Sequence, residues 1–303
     1  MSNPILVGYD PQTRDRAPVE FGVAAARFTE APLIIASVHD AAHDPLTAAH
    51  SGEELLEDIA ETLEEVRGEL HAQGVAVECR DLAGTSAARA LHEAAEEAEA
   101  GLLVVGSTQR GTVGRLLPGS TAERLMHGAP CAVAVVPHGW HAGGGLNTIG
   151  VAYVDTDEGR EALRGAHALA RRAGATLRVL TVAKPRLGMH AETQARTANR
   201  PGKGYEAVEG EHRVLAERAA QEAVGQLDGD VTVQVDGFVD DPAQSLIGVS
   251  EHVDLLVCGS RGYGPLHAVM LGGVSRRVAA EAHCPVIVLA RGVPAALESL
   301  VVT

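Results

Sequence analysis

The chain contains itself twice. Gly106-Ser107 follows Leu102-Leu103-Val104-Val105, and Gly259-Ser260 follows Leu255-Leu256-Val257-Cys258, a separation of 153 residues that Gly119/Gly272 and Cys131/Cys284 repeat. Near the start of each copy Val7-Gly8-Tyr9 matches Val151-Ala152-Tyr153 at a separation of 144, so the second copy carries about nine extra residues between its first and fourth strands. A repeat of this length is a domain-sized unit, and 303 residues hold two of them. The expected units are 1–140 and 146–303, joined through Pro137-His138-Gly139-Trp140-His141-Ala142-Gly143-Gly144-Gly145.

Within the first copy, Ile5 to Asp10, Leu33 to Val38, Val75 to Arg80, Leu102 to Gly106 and Cys131 to Val136 are short apolar runs suited to buried parallel strands. The second copy gives Ile149 to Tyr153, Leu177 to Val182, Val231 to Val235, Leu255 to Gly259 and Val286 to Leu289. Helical patterns fill the gaps. Leu55, Ile59, Leu63, Val66 and Leu70 recur at three- and four-residue steps behind a capping-box pair, Ser51 and Glu54, and Asp241-Pro242 opens a helix in the second copy. Such alternation predicts an α/β fold, two tandem five-stranded parallel sheets, each doubly wound in the order 3-2-1-4-5. Ligands are then expected at the switch point, above the C-terminal ends of strands one and four.

Composition excludes several partners. A net charge of -15 has the wrong sign for a chain that neutralises a nucleic-acid backbone or an anionic membrane, and 3% aromatic residues supply no stacking platform. No apolar run reaches the roughly 18 residues of a spanning helix, and the opening Met1-Ser2-Asn3-Pro4 has no basic stretch, so a cytoplasmic location is expected. Cys79, Cys131, Cys258 and Cys284 lack metal or redox spacing and are expected as buried free thiols.

After its fourth strand the second copy runs GSRGYGPLHAVMLGGVS, from Gly259 to Ser275, with Gly262 and, after nine intervening residues, Gly272. Glycines at a strand end let backbone N–H groups approach an anion, and a helix starting near Gly272 adds unpaired amides and the positive end of its dipole. Alternatively the glycines only make tight strand-to-helix turns. With ILVGYD at the start and Cys284-Pro285-Val286 at the close, the loop makes the chain resemble the universal stress protein family in its tandem form. The resemblance implies Rossmann-like domains of the adenine nucleotide alpha hydrolase type, pairing through the last strand, and ATP binding, with Mg as companion, in many members. It also implies a nucleotide-responsive stress or growth regulator rather than a dedicated enzyme. The site residues it suggests are Asp10, Pro11, Val38, Gly106, Ser107, Gly119, Ser120 and Thr121 in the first copy. In the second they are Asp155, Val182, Gly259, Ser260, Gly262, Gly272, Gly273, Val274 and Ser275.

The copies depart from the family pattern differently. In the first, Asp10 matches the acidic residue beside adenosine, while Gln109 stands at the second glycine. In the second, Gly273 replaces the hydroxyl residue, Val154 stands where the strand-one Asp belongs and Asp155 comes one position late. The second phosphate cradle and the first adenosine pocket are therefore the better halves of two incomplete sites.

Other constellations carry less. Lys184 and Lys203, the chain's two lysines, lie with Arg186, Arg196 and Arg200 in the inserted stretch 184–206, either a lid over the triphosphate or an exposed loop. His39 and His43, expected in a loop after strand two, and His138 and His141 in the linker are surface histidines rather than metal ligands. No Walker A, H-E-x-x-H or G-x-S-x-G pattern is present, no catalytic residue stands out, and at most slow ATP hydrolysis is expected. The apolar last strands invite pairing into a pseudo-twofold dimer within the chain, and the tail with Leu297 and Leu300 either covers apolar surface or extends an interface between chains in a homodimer. An unidentified protein partner would receive the regulatory output. The rival expectation is a scaffold with decayed nucleotide sites.

Overall fold

The computed structural model describes residues 2–39, 48–107, 120–183, 203–259 and 272–289 with Leu297 and Leu300, and the backbone alone at 48–58, 120 and 203–209. The first half supplies β1 (Ile5–Gly8), β2 (Leu33–His39), β3 (Val77–Ala83), β4 (Leu102–Gly106) and β5 (Ala132–Val136). The second supplies β6 (Thr148–Ala152), β7 (Thr176–Ala183), β8 (Val233–Val239), β9 (Leu255–Cys258) and β10 (Val286–Val288). The helices of the first half are α1 (Ala17–Thr29), α2 (Ala48–Ala72), α3 (Ala87–Glu97) and α4 (Ser120–Gly128). Those of the second are α5 (Asp157–Ala173), α6 (Lys203–Val224), α7 (Pro242–Val249) and α8 (Gly273–Glu281).

The strands form one sheet in the order β3-β2-β1-β4-β5-β10-β9-β6-β7-β8, so each half has the expected 3-2-1-4-5 order. Every neighbouring pair is parallel except β5 and β10, which meet antiparallel with Val286 opposite Val135, Ile287 opposite Ala134 and Val288 opposite Val133. The repeat separation maps Ala134 onto Ile287, so the pseudo-twofold axis passes through that pair. Each last strand thereby covers the edge that the other would have exposed. The antiparallel junction also turns the halves head to tail, so the C-terminal ends of β1 and β4 lie at one rim of the sheet and those of β6 and β9 at the opposite rim.

Side chains alternate along the strands between two cores. Ile5, Val7, Ile149 and Val151 face α1, α2, α5 and α6. Leu6, Leu103, Val133 and Leu256 face α3, α4, α7 and α8. Both cores run through the β5–β10 junction, as Ala134 and Ile287 belong to one and Val133 and Val286 to the other. The tail continues the first core: a Cβ on Gly165 of α5 would stand 2.9 Å from Leu297, and one on Gly101, just before β4, 2.8 Å from Leu300. Leu297 and Leu300 therefore cover apolar surface, strapping the second half to the first.

Helix ends follow local chemistry. Asp241 accepts from the Gln244 N–H at 3.0 Å with Pro242 in the first turn, and Thr156 accepts from the Gly159 N–H at 3.2 Å. Ser51 is not a cap, because α2 already begins at Ala48 and places it inside the helix. The third strands lie two residues later than the apolar runs suggest, starting at Val77 and Val233. Both are edge strands, half-exposed, and carry Arg80, Asp81 and Asp236, which a search for apolar runs passes over. Of the inserted stretch, Lys203 onward belongs to α6, while 184–202, read as either a lid or an exposed loop, lies outside the described residues. Cys131, Cys258 and Cys284 are buried free thiols, each pushed up to about 12 by loss of solvent; Cys79 is half-buried. No described helix is long and apolar enough to cross a membrane.

Candidate functional site

At the first rim, β1 ends and the chain turns through Asp10-Pro11. The Asp10 carboxylate is exposed; its Oδ1 accepts from the Gln12 N–H at 3.0 Å, and its carbonyl accepts from the Thr13 hydroxyl at 2.9 Å. This Asx-type turn orients the carboxylate without neutralising it. Among the described residues no cation pairs with it. Arg16 is engaged elsewhere: it pairs with Glu69 of α2, and its guanidinium lies 5.7 Å from the centre of the Tyr9 ring.

The equivalent positions of the second half are arranged otherwise. Val154, in the place of Asp10, is 39% exposed and offers no acceptor beyond its backbone. The next residue, Asp155, is clamped: Arg160 Nη2 lies 2.5 Å from its Oδ1, and the Tyr153 hydroxyl donates to the same oxygen at 3.3 Å. Burial first, and the Asp155 charge next, push the Tyr153 phenol up, which keeps that hydroxyl a donor. Arg160 and Arg16 correspond across the repeat, as do Tyr153 and Tyr9. The repeated arginine thus closes on the carboxylate in one half and on Glu69 in the other, while both tyrosines stay buried.

Beside these carboxylates come the ends of the fourth strands. Gly106 closes β4 against α1, where a Cβ would stand 3.1 Å from Pro18 and 3.7 Å from Asp15 Oδ2. Ser107, buried, donates its N–H to Val136 O at 2.8 Å and accepts the His138 N–H on its hydroxyl at 3.0 Å. Opposite, Gly259 closes β9 against the Glu158 carbonyl, 3.4 Å from where its Cβ would be. Gly106 is therefore closely packed against α1, whereas a Cβ at Gly259 would make an ordinary van der Waals contact. Ser275 does not turn its hydroxyl outward; buried, it donates to the Gly259 carbonyl at 2.8 Å, leaving no proton for an anion. Helix α8 follows Gly272 with no side-chain cap, so the Gly273, Val274 and Ser275 amides meet no capping side chain. In the first half, α4 begins at Ser120 with Thr121 half-buried behind it. Val38 and Val182, half-buried, come one residue before the ends of β2 and β7 at equivalent places, opposite Leu82 and Phe238. Gln109, Gly119, Ser260 and Gly262 lie outside the described residues.

Several residues at the first rim escaped the sequence reading. The linker is bound to α1: Asp15, 9% exposed, receives the Ala17 and Gly139 N–H groups on Oδ1 at 3.2 and 3.3 Å, while His138 Nδ1 lies 2.9 Å from Oδ2. Glu20 holds His141 Nδ1 at 3.1 Å and the Ala142 N–H at 3.2 Å, and Trp140 meets Phe21 edge to face with ring centres 5.8 Å apart. His39 is the last residue of β2 rather than part of a loop, with Nδ1 2.7 Å from Asp81 on the neighbouring strand. No group of three metal-binding side chains converges among the described residues. The groove of about 740 Å³ lined by Pro32, Leu33, Ala76 and Val77 lies at the N-terminal ends of β2 and β3, away from the switch point.

These features define a tandem, doubly wound α/β protein whose two switch points lie on opposite rims, one carboxylate open among the described residues and the other paired. The chain belongs to the universal stress protein family, whose model matches residues 1–137 and again 145–290. It is similar to a universal stress protein of Mycobacterium tuberculosis, 30% identical over 230 residues, 72% of this chain and 74% of that protein. A universal stress protein of Mycolicibacterium smegmatis is 30% identical over 309 residues, covering 94% of this chain and 96% of its own. Among solved structures, a universal stress protein from Archaeoglobus fulgidus shares the fold with a TM-score of 0.71 at 20% identity, over 96% of this chain and all (100%) of that one.

Proposed function

We propose that this universal stress protein is a nucleotide-responsive regulator that holds ATP, with Mg, in the crevice of its first half. The reading rests on the contrast between the carboxylates. A ribose offers hydroxyl donors, and an ionised carboxylate held in place without a competing cation is the acceptor they need; hydrogen bonds to charged groups contribute about 1.5–3 kcal/mol each. Among the described residues Asp10 meets that description, whereas Asp155 already accepts from Arg160 and Tyr153. The residues that would hold the nucleotide are Asp10, Pro11 and Val38 about the nucleoside, with Gly106, Ser107, Gly119, Ser120 and Thr121 about the phosphates. Mg would neutralise phosphate charge that the acidic chain does not. In the second half the amides of Gly273 and Val274 support an anion better than the side chains of that crevice support a nucleoside.

Mass spectrometry of small molecules released from the purified protein, followed by calorimetric titration with MgATP, tests the reading. One adenine nucleotide per chain is expected. No heat together with no co-purified nucleotide would leave the scaffold role instead, and two equal sites would remove the distinction between the halves.

A further inference from the structure

The linker does more at the first rim than join two domains. From Pro137 to Ala142 it is tied to the end of β4 and the first turns of α1 by every type of contact available to it. Ser107 is bonded to Val136 through its N–H and to His138 through its hydroxyl, so the residues after β4 and those after β5 form one hydrogen-bonded unit. Asp15 joins that unit to α1, gathering Ala17, His138 and Gly139 while its Oδ2 lies against Gly106. Trp140 and His141 extend the attachment to Phe21 and Glu20.

We propose that this segment, residues 138–142, is a strap that reports occupancy of the first crevice. The inference rests on the nucleotide reading above and adds its regulation. A ligand that holds Gly106 and Ser107 removes freedom from the unit to which the strap is bonded, so local opening of the strap costs more when the ligand is present. Coupling of this kind is reciprocal: whatever loosens the strap weakens the ligand by the same factor. A partner that binds the strap, or the α1 surface beneath it, thereby senses nucleotide without touching it.

Trp140 is the chain's single tryptophan, which makes the strap directly observable. MgATP added to the full-length protein is expected to reduce acrylamide quenching of Trp140. It should also slow amide exchange at Gly139 and Ala142 by about five- to tenfold, the lower range of coupling between sites. His138→Ala, which removes the side-chain tie to Asp15 but keeps the backbone N–H on the Ser107 hydroxyl, should reduce both responses and weaken ATP by a similar factor, and Glu20→Gln, which leaves the Asp15 ties in place, should reduce the response at Ala142 alone. If calorimetry records binding while quenching and exchange stay unchanged, the strap is a passive tether and the inference falls, the nucleotide reading surviving. If calorimetry records no binding, the nucleotide reading falls first and takes the strap with it.

Discussion

The two halves share strand order, core and helix placement, yet they have diverged in opposite senses at the axis and at the rims. At the axis, divergence creates complementarity. Glu123 of α4 and Arg276 of α8 occupy equivalent positions and meet each other at 3.3 Å, so a symmetric dimer of either half would set Glu against Glu or Arg against Arg. On the other face Arg172 of α5 donates to the carbonyl of Phe28, its equivalent in the repeat, at 2.8 Å and pairs with Glu30 at 2.5 Å. At the rims, divergence removes equivalence: the arginine that leaves Asp10 open in the first half closes on Asp155 in the second. Duplication thus lets one interface become specific and the two rims differ without disturbing the fold, since the cores depend on strand periodicity rather than on rim residues.

The comparison can be broken first at the tail, which has no counterpart of equal burial in the linker. Leu300→Ala is expected to lower the unfolding free energy by about 2–5 kcal/mol in a urea titration, as expected for a buried leucine. Trp140→Ala, at a half-exposed position, should cost less. Equal losses would mean that the straps at the two rims are interchangeable. Next comes the rim itself: Asp10→Ala should weaken ATP by roughly tenfold or more, the loss of one charged acceptor, while Asp155→Ala changes it little. Matching losses would overturn the assignment to the first half. A smaller effect would sharpen the contrast: Val154→Asp combined with Arg160→Ala gives the second crevice a free acceptor, and calorimetry should then record a second, weaker event absent from the parent. The smallest effect is expected at the axis, where Glu123→Arg places like charges together. Because both side chains are partly exposed, the change in stability should stay within about 1 kcal/mol, and Arg276→Glu in the same chain should restore it.

Much of this was legible in the sequence. The separation of 153 residues between Gly106 and Gly259, and between Cys131 and Cys284, carries the duplication, and the apolar runs carry the central strands. The edge strands were misplaced because half-exposed strands such as β3 and β8 take charged residues that interrupt an apolar run. The contrast between Asp10 and Asp155 was partly visible in Val154. Its cause was not, because both copies carry the arginine and the difference lies in Glu69, which reaches Arg16 from a helix 53 residues away. The repeated Tyr and Arg at a separation of 144 were the available signal. The strap was hidden altogether: a segment rich in glycine and histidine looks like a connection, and the contact of His138 with Asp15 spans 123 residues of chain.

The antiparallel meeting of β5 and β10 has a consequence for larger assemblies. Each long side of the molecule shows the mouth of one half next to the floor of the other, so the pseudo-twofold axis carries one side onto the other while neither is symmetric in itself. A companion that docks along one side therefore acquires a heading, set by which half turns its mouth toward it.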